Sequence, residues 1–145
     1  MTAEQTLAPS SQGEISVGVG QMILIIDDDV SLAALVCRAV RRAGYRAEIA
    51  PDGRKGCALA MTLKPDLVLT DLWMAEQDGL ETIMRLKRDL PDTKIIAMSG
   101  RPEMGQMKIL PLALQLGAVQ LLPKPFEQQR LFDAIELALG TPDLT

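Results

Sequence analysis

The chain has 145 residues, 48% of them apolar and 23% charged, enough to bury roughly two-thirds of its surface around one core without metal or disulfide staples. Lys and Arg number 15 against 19 Asp and Glu, a net charge of −4, which excludes a global attraction to nucleic acid or to an anionic membrane surface. Histidine is absent, so an imidazole base, a His metal ligand or a phosphohistidine must come from another molecule.

Residues 1–20 mix Ser, Gly, Gln, Thr and Pro without apolar periodicity and are expected to form a flexible tail. From Met22 the chain alternates apolar runs with helical periods. Met22–Ile26 (MILII) reads as a strand buried on both faces. Leu32, Leu35, Val36, Ala39 and Val40 follow at helical spacing, and Gly44 supplies a stop. Arg46–Ala50 (RAEIA) is a weaker strand, Arg54–Leu63 a helix closed by Pro65, and Leu67–Thr70 a second buried strand. A helix over Leu80–Asp89, stopped by Pro91, leads into the strand Lys94–Met98. Glu103–Leu116 is a helical stretch in which Pro111 is expected to begin or kink a helix, not to sit in its middle. Val119–Leu122 is the fifth strand, and Glu127–Leu139 a closing amphipathic helix. Five βα units joined by short loops predict an α/β fold: a five-stranded parallel sheet, doubly wound, with helices on both faces over residues 21–140 and a short tail at 141–145.

Neither an apolar run of the ~18 residues that a membrane span needs nor a signal-peptide pattern is present, so a cytoplasmic protein is expected, with no membrane partner and no nucleic acid bound through this domain. Cys37 and Cys57 lie in apolar helical patterns without CxxC spacing and are expected as buried thiols in a reducing compartment.

Parallel sheets of this kind place their chemistry at the carboxyl ends of the strands. Those ends hold Asp27, Asp28 and Asp29 after the first strand, Asp71 at the third, Ser99 after the fourth and Lys124 after the fifth. Three successive aspartates also suit a solvated turn with a helix N-cap. Asp71, however, ends an apolar strand, where a carboxylate needs a partner. Clustered carboxylates on neighbouring strand ends call for a cation, and without His or a placed Cys the donor set favours a hard ion, Mg²⁺. Lys124 and Ser99 add a fixed charge and a hydroxyl able to bind phosphoryl oxygens.

In this arrangement the chain resembles the receiver domain of two-component response regulators, over about Gln21 to Gly140. The acidic pair matches Asp27 and Asp28. The phosphoacceptor matches Asp71 in Asp71-Leu72-Trp73-Met74-Ala75-Glu76-Gln77-Asp78-Gly79, the hydroxyl residue Ser99 in Met98-Ser99-Gly100, and the lysine Lys124 in Leu122-Pro123-Lys124-Pro125-Phe126. The resemblance implies a flavodoxin-like receiver fold, a cis Lys124–Pro125 bond, and Mg²⁺ held by Asp28, Asp71 and the backbone carbonyl of Trp73, with Asp27 contributing through water. Three features depart from the family: Ala75 in place of a usual proline, Leu121 in place of the switch aromatic on the fifth strand, and a long Arg101–Met107 stretch.

The function implied is phosphoryl transfer from the phosphohistidine of a sensor histidine kinase or histidine phosphotransfer protein to Asp71. Such a chain is a signalling phosphoacceptor that assists its own phosphorylation and dephosphorylation, not a turnover enzyme. Phosphorylation would then switch the face made by the fourth helix, fifth strand and fifth helix, read by a downstream protein target, an output domain outside this chain or a second copy in a phosphorylation-dependent homodimer. Two other readings compete. Asp27-Asp28-Asp29 also fits the Asp-x-Asp pattern of haloacid-dehalogenase-type phosphohydrolases, with Asp27 as nucleophile and Asp29 as acid/base, although Ser99-Gly100-Arg101 stands where that family has an acidic pair. A phosphorylation-independent interaction module would keep the fold and lose the chemistry.

Overall fold

A computed structural model of the protein describes residues 20–73, 79–100 and 106–140. The expected tails, apart from Gly20, lie outside the described residues, as do Ala75 and residues 101–105 of the long stretch. The elements run β1 (Met22–Ile26), α1 (Val30–Arg42), β2 (Arg46–Ala50), α2 (Gly53–Leu63), β3 (Leu67–Asp71), α3 (Gly79–Asp89), β4 (Lys94–Ser99), α4 (Gln106–Leu116), β5 (Gln120–Pro123) and α5 (Gln128–Leu139). All strand pairs are parallel, in the order β2-β1-β3-β4-β5. The chain starts inside the sheet, steps out to β2, then crosses back past β1, which is the doubly wound topology expected.

Strand alternation divides the core in two. Ile23 and Ile25 of β1 point into one cluster with Val36, Cys37 and Val40 of α1 and Leu131 and Ile135 of α5. Leu24 and Ile26 point into the other, with Cys57 and Ala60 of α2, Ile83 and Leu86 of α3 and Ala113 of α4. This explains the sequence signal: strands covered on both faces read as unbroken apolar runs, and all of β1 and β3 is buried. The edge strand β2 buries only Ala47 and Ala50. Both cysteines are buried, free thiols, and among the described residues no helix is long and apolar enough to cross a membrane.

Local chemistry sets the helix ends. Asp29 caps α1 by accepting the Leu32 N–H at 3.0 Å, and Asp52 caps α2 through the Lys55 N–H at 2.8 Å. Two readings are refined. Leu35, one of the apolar residues at helical spacing, is 60% exposed, because the buried stripe of α1 is Ala33, Val36, Cys37 and Val40, at helical spacings that leave position 35 on the outer side. Pro111 neither begins nor ends α4 but lies inside it. A proline removes its own N–H alone, and at an exposed position the carbonyl one turn back can turn to water, so the flanking bonds carry the helix through.

Gly56 marks a close contact between α2 and the sheet: a Cβ there would lie 2.4 Å from Cδ1 and 2.7 Å from Cγ1 of the fully buried Ile26. Alanine improves helix propensity by up to about 1 kcal/mol, yet overpacking a closed core costs about 1–3 kcal/mol. Gly56→Ala is therefore expected to lower the free energy of unfolding in urea by about 1 kcal/mol or more. A variant as stable as the parent would mean that Ile26 has room to move.

Candidate functional site

β1 and β3 are neighbours in register, Ile26 level with Thr70, so the turn after β1 and the last residue of β3 meet at the carboxyl edge of the sheet. Asp27 is 1% exposed. Its backbone N–H donates to the Ala50 carbonyl at 3.1 Å, its Oδ1 accepts the Asp29 N–H at 2.9 Å, and its Oδ2 accepts from Lys124 Nζ at 2.8 Å. Asp28 faces solvent. Asp29 is exposed and caps α1 through its Oδ1.

Asp71 ends β3 and is 6% exposed. Its Oδ1 accepts the Trp73 N–H at 3.3 Å, and its Oδ2 lies 3.5 Å from Lys124 Nζ. Lys124 reaches both carboxylates because the edge of the sheet delivers it: Pro123 is in register with Ser99, and the Lys124 N–H donates to the Ser99 carbonyl at 2.6 Å. The Lys124–Pro125 peptide bond is cis, as the resemblance implied.

The electrostatics follow from burial with one cation for several anions. Burial pushes the Asp71 carboxyl up to about 6, with the charge of Asp27 adding to the rise and Lys124 and the Trp73 N–H opposing it. For Lys124, burial pulls the ammonium down, but the hydrogen bond to Asp27 and the charges of Asp71 and Asp27 override it and leave the lysine above its ordinary value. One carboxylate oxygen from each of Asp27, Asp28 and Asp71 lies within 4.8 Å of the others. Three hard oxygen donors at that separation, one of them open to solvent, suit a small divalent cation that keeps part of its water shell.

These groups line a cavity of about 830 Å³ with Trp73, Gly100 and Phe126 among its walls. Asp27, Asp28, Asp71, Trp73 and Lys124 are thus brought together. Ser99 is 4% exposed and sits one residue behind Gly100, which forms the cavity wall at the end of β4. Leu32 and Phe126 line the cavity too and were not singled out from sequence. Their signal is positional: each lies within three residues of a charged strand-end residue, Asp29 and Lys124.

The Asp71 shift has a sign that can be checked. Its folded value, about 6, stands above the ordinary 3.8, so folding disfavours the charged form. Below about pH 4 the group is protonated in both states and costs nothing; above about pH 6 it is ionised in both and the full cost is present. In metal-free buffer Asp71→Asn is therefore expected to melt about 3–6 °C above the parent at pH 7.5, with the gain shrinking towards zero at pH 4. Paired thermal denaturation at the two pH values measures this, and a gain that grows on acidification would show the opposite linkage.

The chain matches the family model of the response regulator receiver domain over residues 23–136. It is 35% identical over 123 residues to the DNA-binding dual master transcriptional regulator RpaA of Synechocystis sp., covering 83% of this chain and 50% of RpaA. It is 32% identical over 118 residues to the chemotaxis protein CheY of Thermotoga maritima, covering 81% of this chain and 96% of that protein. The chain thus spans half the length of RpaA and almost all of this CheY. The crystal structure of the receiver domain of NtrX from Brucella abortus is similar with a TM-score of 0.74 at 29% identity, over 81% of this chain and 97% of that one. The family match favours the receiver over the phosphohydrolase reading, and the chain belongs to the response regulator receiver domain family.

Proposed function

We propose that Asp71 is the phosphoacceptor of this receiver domain and takes a phosphoryl group from a phosphohistidine on a sensor histidine kinase or histidine phosphotransfer protein. The observation that carries the proposal is a buried carboxylate at a strand end, 3.5 Å from a lysine ammonium and open to a cavity. Asp71 Oδ forms the new O–P bond while the P–N bond of the donor breaks and its electron pair stays with the imidazole nitrogen. The chain has no histidine, so the donor ring belongs to another molecule. Lys124 stands ready to balance charge on the transferring oxygens, and Ser99, behind Gly100, is the hydroxyl donor assigned to the product. The chain acts as a phosphoacceptor that assists its own phosphorylation and dephosphorylation.

The donor set fits Mg²⁺. Asp28, Asp71 and the backbone carbonyl of Trp73 would hold it directly, and Asp27, both of whose oxygens already accept hydrogen bonds, would reach it through water. When bound, the ion supplies positive charge for the phosphoryl oxygens. Output passes through the face built by α4, β5 and α5 to a downstream protein target, to an output domain outside the described residues or to a second copy of the chain, in a cytoplasmic setting. DNA binding belongs to RpaA; the acidic balance of this chain assigns no such role to the receiver itself.

Incubation with Mg²⁺ and a small phosphodonor, borohydride trapping and mass spectrometry tests the acceptor. The label is expected on Asp71 and absent from Asp71→Asn; a label on Asp27 would return the phosphohydrolase reading. A second measurement tests the metal set. Mg²⁺ is expected to raise the melting temperature by linkage, with Asp28→Ala weakening its apparent affinity at least tenfold and Asp29→Ala less than threefold, because Asp29 serves α1. Equal losses would move the direct ligand within the triplet.

A further inference from the structure

The sheet has two edges, β2 and β5, at opposite ends of the strand order. On β2 the Arg46 N–H donates to the Gln21 carbonyl at 2.8 Å, and the Ala50 carbonyl accepts the Asp27 N–H at 3.1 Å. Residues 46, 48 and 50 therefore turn their backbone groups towards β1, and Ala47 and Ile49 turn theirs outwards. An edge with outward N–H and C=O groups is a template for a further strand.

One side chain covers that edge. Arg41, in the last turn of α1, donates to the outward Ala47 carbonyl through Nη2 at 2.6 Å and Nε at 3.2 Å. The same guanidinium lies 4.0 Å from Glu48 Oε2. Ala47 packs into the core cluster on the α1 side of the sheet and Ala50 into the one on the α2 side, so by strand alternation Glu48 points to the face opposite α1. Arg41 thus reaches from one face across the strand edge towards the other. Both side chains of this ion pair are half exposed, so the pair adds little to stability, and water can satisfy an edge carbonyl without it. Its effect is to occupy the edge.

The groups it occupies are those a second copy would use. Where two β2 strands meet antiparallel, outward residues oppose one another: Ala47 against Ala47, Ala47 against Ile49, or Ile49 against Ile49. The second register brings Glu48 against Glu48, like charges directly opposed. The third sets Glu48 against Ala50 and carries Arg46 past the end of the strand. The first sets Arg46 of each copy opposite Glu48 of the other, two pairs of opposite charge, and exchanges both hydrogen bonds at Ala47. We infer that the β2 edge is a surface for antiparallel pairing with a second copy of this chain in that register, and that Arg41 holds it closed by covering the Ala47 carbonyl and Glu48. A pair of five-residue strands buries less than the roughly 1,200 Å² of a stable interface, so the association is weak even with the guard removed. It lies at the edge opposite β5 and uses neither Asp71 nor a phosphoryl group, so it stands apart from the phosphoacceptor reading.

Sedimentation velocity of the full, unphosphorylated chain over a concentration series tests it. Arg41→Ala is expected to lower the dimer dissociation constant at least tenfold relative to the parent. Arg41→Met, which keeps the stem and loses the donors, is expected to do the same and carries the test if Arg41→Ala melts early. Adding Glu48→Arg to either variant should return the constant to the parent's value or weaker, because like charges then face each other across the pair, and adding Arg46→Glu as well should restore the dimer. Hydrogen exchange gives a second readout: the Ala47 amide is expected to exchange at least tenfold more slowly where the Arg41 variant is dimeric than in the parent at the same concentration. A dissociation constant unchanged in the Arg41 variants overturns the inference, and so does a dimer that persists with Glu48→Arg or leaves the Ala47 amide unprotected.

Discussion

One ammonium holds this site together. Carboxylate oxygens of Asp27, Asp28 and Asp71 lie within 4.8 Å of one another, and two like charges at that distance repel by on the order of 3 kcal/mol at an effective dielectric constant near 20. A domain whose whole margin is about 5–15 kcal/mol cannot leave such a cluster without a cation. Lys124 supplies it, at 2.8 Å from Asp27 and 3.5 Å from Asp71. One charge does not cancel three. The rise of the Asp71 carboxyl comes first from burial, with the charge of Asp27 adding to it against Lys124, and a divalent ion would offset that cost by favouring the charged carboxylate.

The position of that ammonium depends on backbone hydrogen bonds across five strand ends. The Lys124 N–H is tied to the Ser99 carbonyl, the Asp27 N–H to the Ala50 carbonyl and the Leu72 N–H to the Met98 carbonyl. Each charged loop is thereby stitched to a neighbouring strand before any side chain interacts. Gly79 belongs to the same frame. Its N–H reaches the Leu72 carbonyl at 3.0 Å, and a Cβ there would fall 2.4 Å from Leu72 Cα and 2.5 Å from the Asp71 carbonyl oxygen. Those are backbone atoms of β3 and the residue after it, so only a residue without a side chain lets α3 start so close to Asp71.

Much of this was legible in the sequence, for physical reasons that differ by element. β1 and β3 read clearly because both faces are covered and the apolar run is unbroken. The charged residues at the strand ends stood out because aspartates and a lysine interrupt such runs where a buried sheet does not tolerate them unpaired. α1 reads as a helix, but the periodicity alone does not separate Leu35, which is exposed, from the buried Val36 and Val40: an apolar residue outside the buried stripe looks the same in a sequence. Pro111 reads as a residue that begins or kinks a helix, and it lies in the middle of α4 instead, since local sequence shows the lost hydrogen bond but not the flanking bonds that make up for it. Of the cavity's apolar walls, Trp73 is legible only for its backbone carbonyl, and Leu32 and Phe126 only as neighbours of charged strand-end residues. Leu32, Trp73 and Phe126 come from three separate turns, and only the strand order β2-β1-β3-β4-β5 puts those turns side by side.

The same packing decides where a change at the site can go. In the phosphoacceptor reading, a phosphoryl group on Asp71 adds negative charge on the side of the cavity facing Lys124. Whatever hold the ammonium gains there competes with its 2.8 Å bond to Asp27, so the turn after β1, the end of β3 and the start of the loop after β5 respond together. The sheet beneath cannot absorb the adjustment, because Ile25, Leu69 and Met98 are fully buried in a closed core. α4 can. Among its described side chains, residues 111–116, only Ala113 is buried, whereas α1 buries Ala33, Val36, Cys37 and Val40 and α3 buries Gly79, Thr82, Ile83 and Leu86. Pro111 further removes a hydrogen bond from the middle of α4. Among the described side chains α4 thus has less buried anchorage than α1 or α3, and in the phosphoacceptor reading it is the helix that costs least of these to shift; it lies next to β5, whose end leads into Lys124. In the phosphoacceptor reading, a route from charge to surface is set by where the described part of the fold is least anchored, and it needs no dedicated relay of side chains.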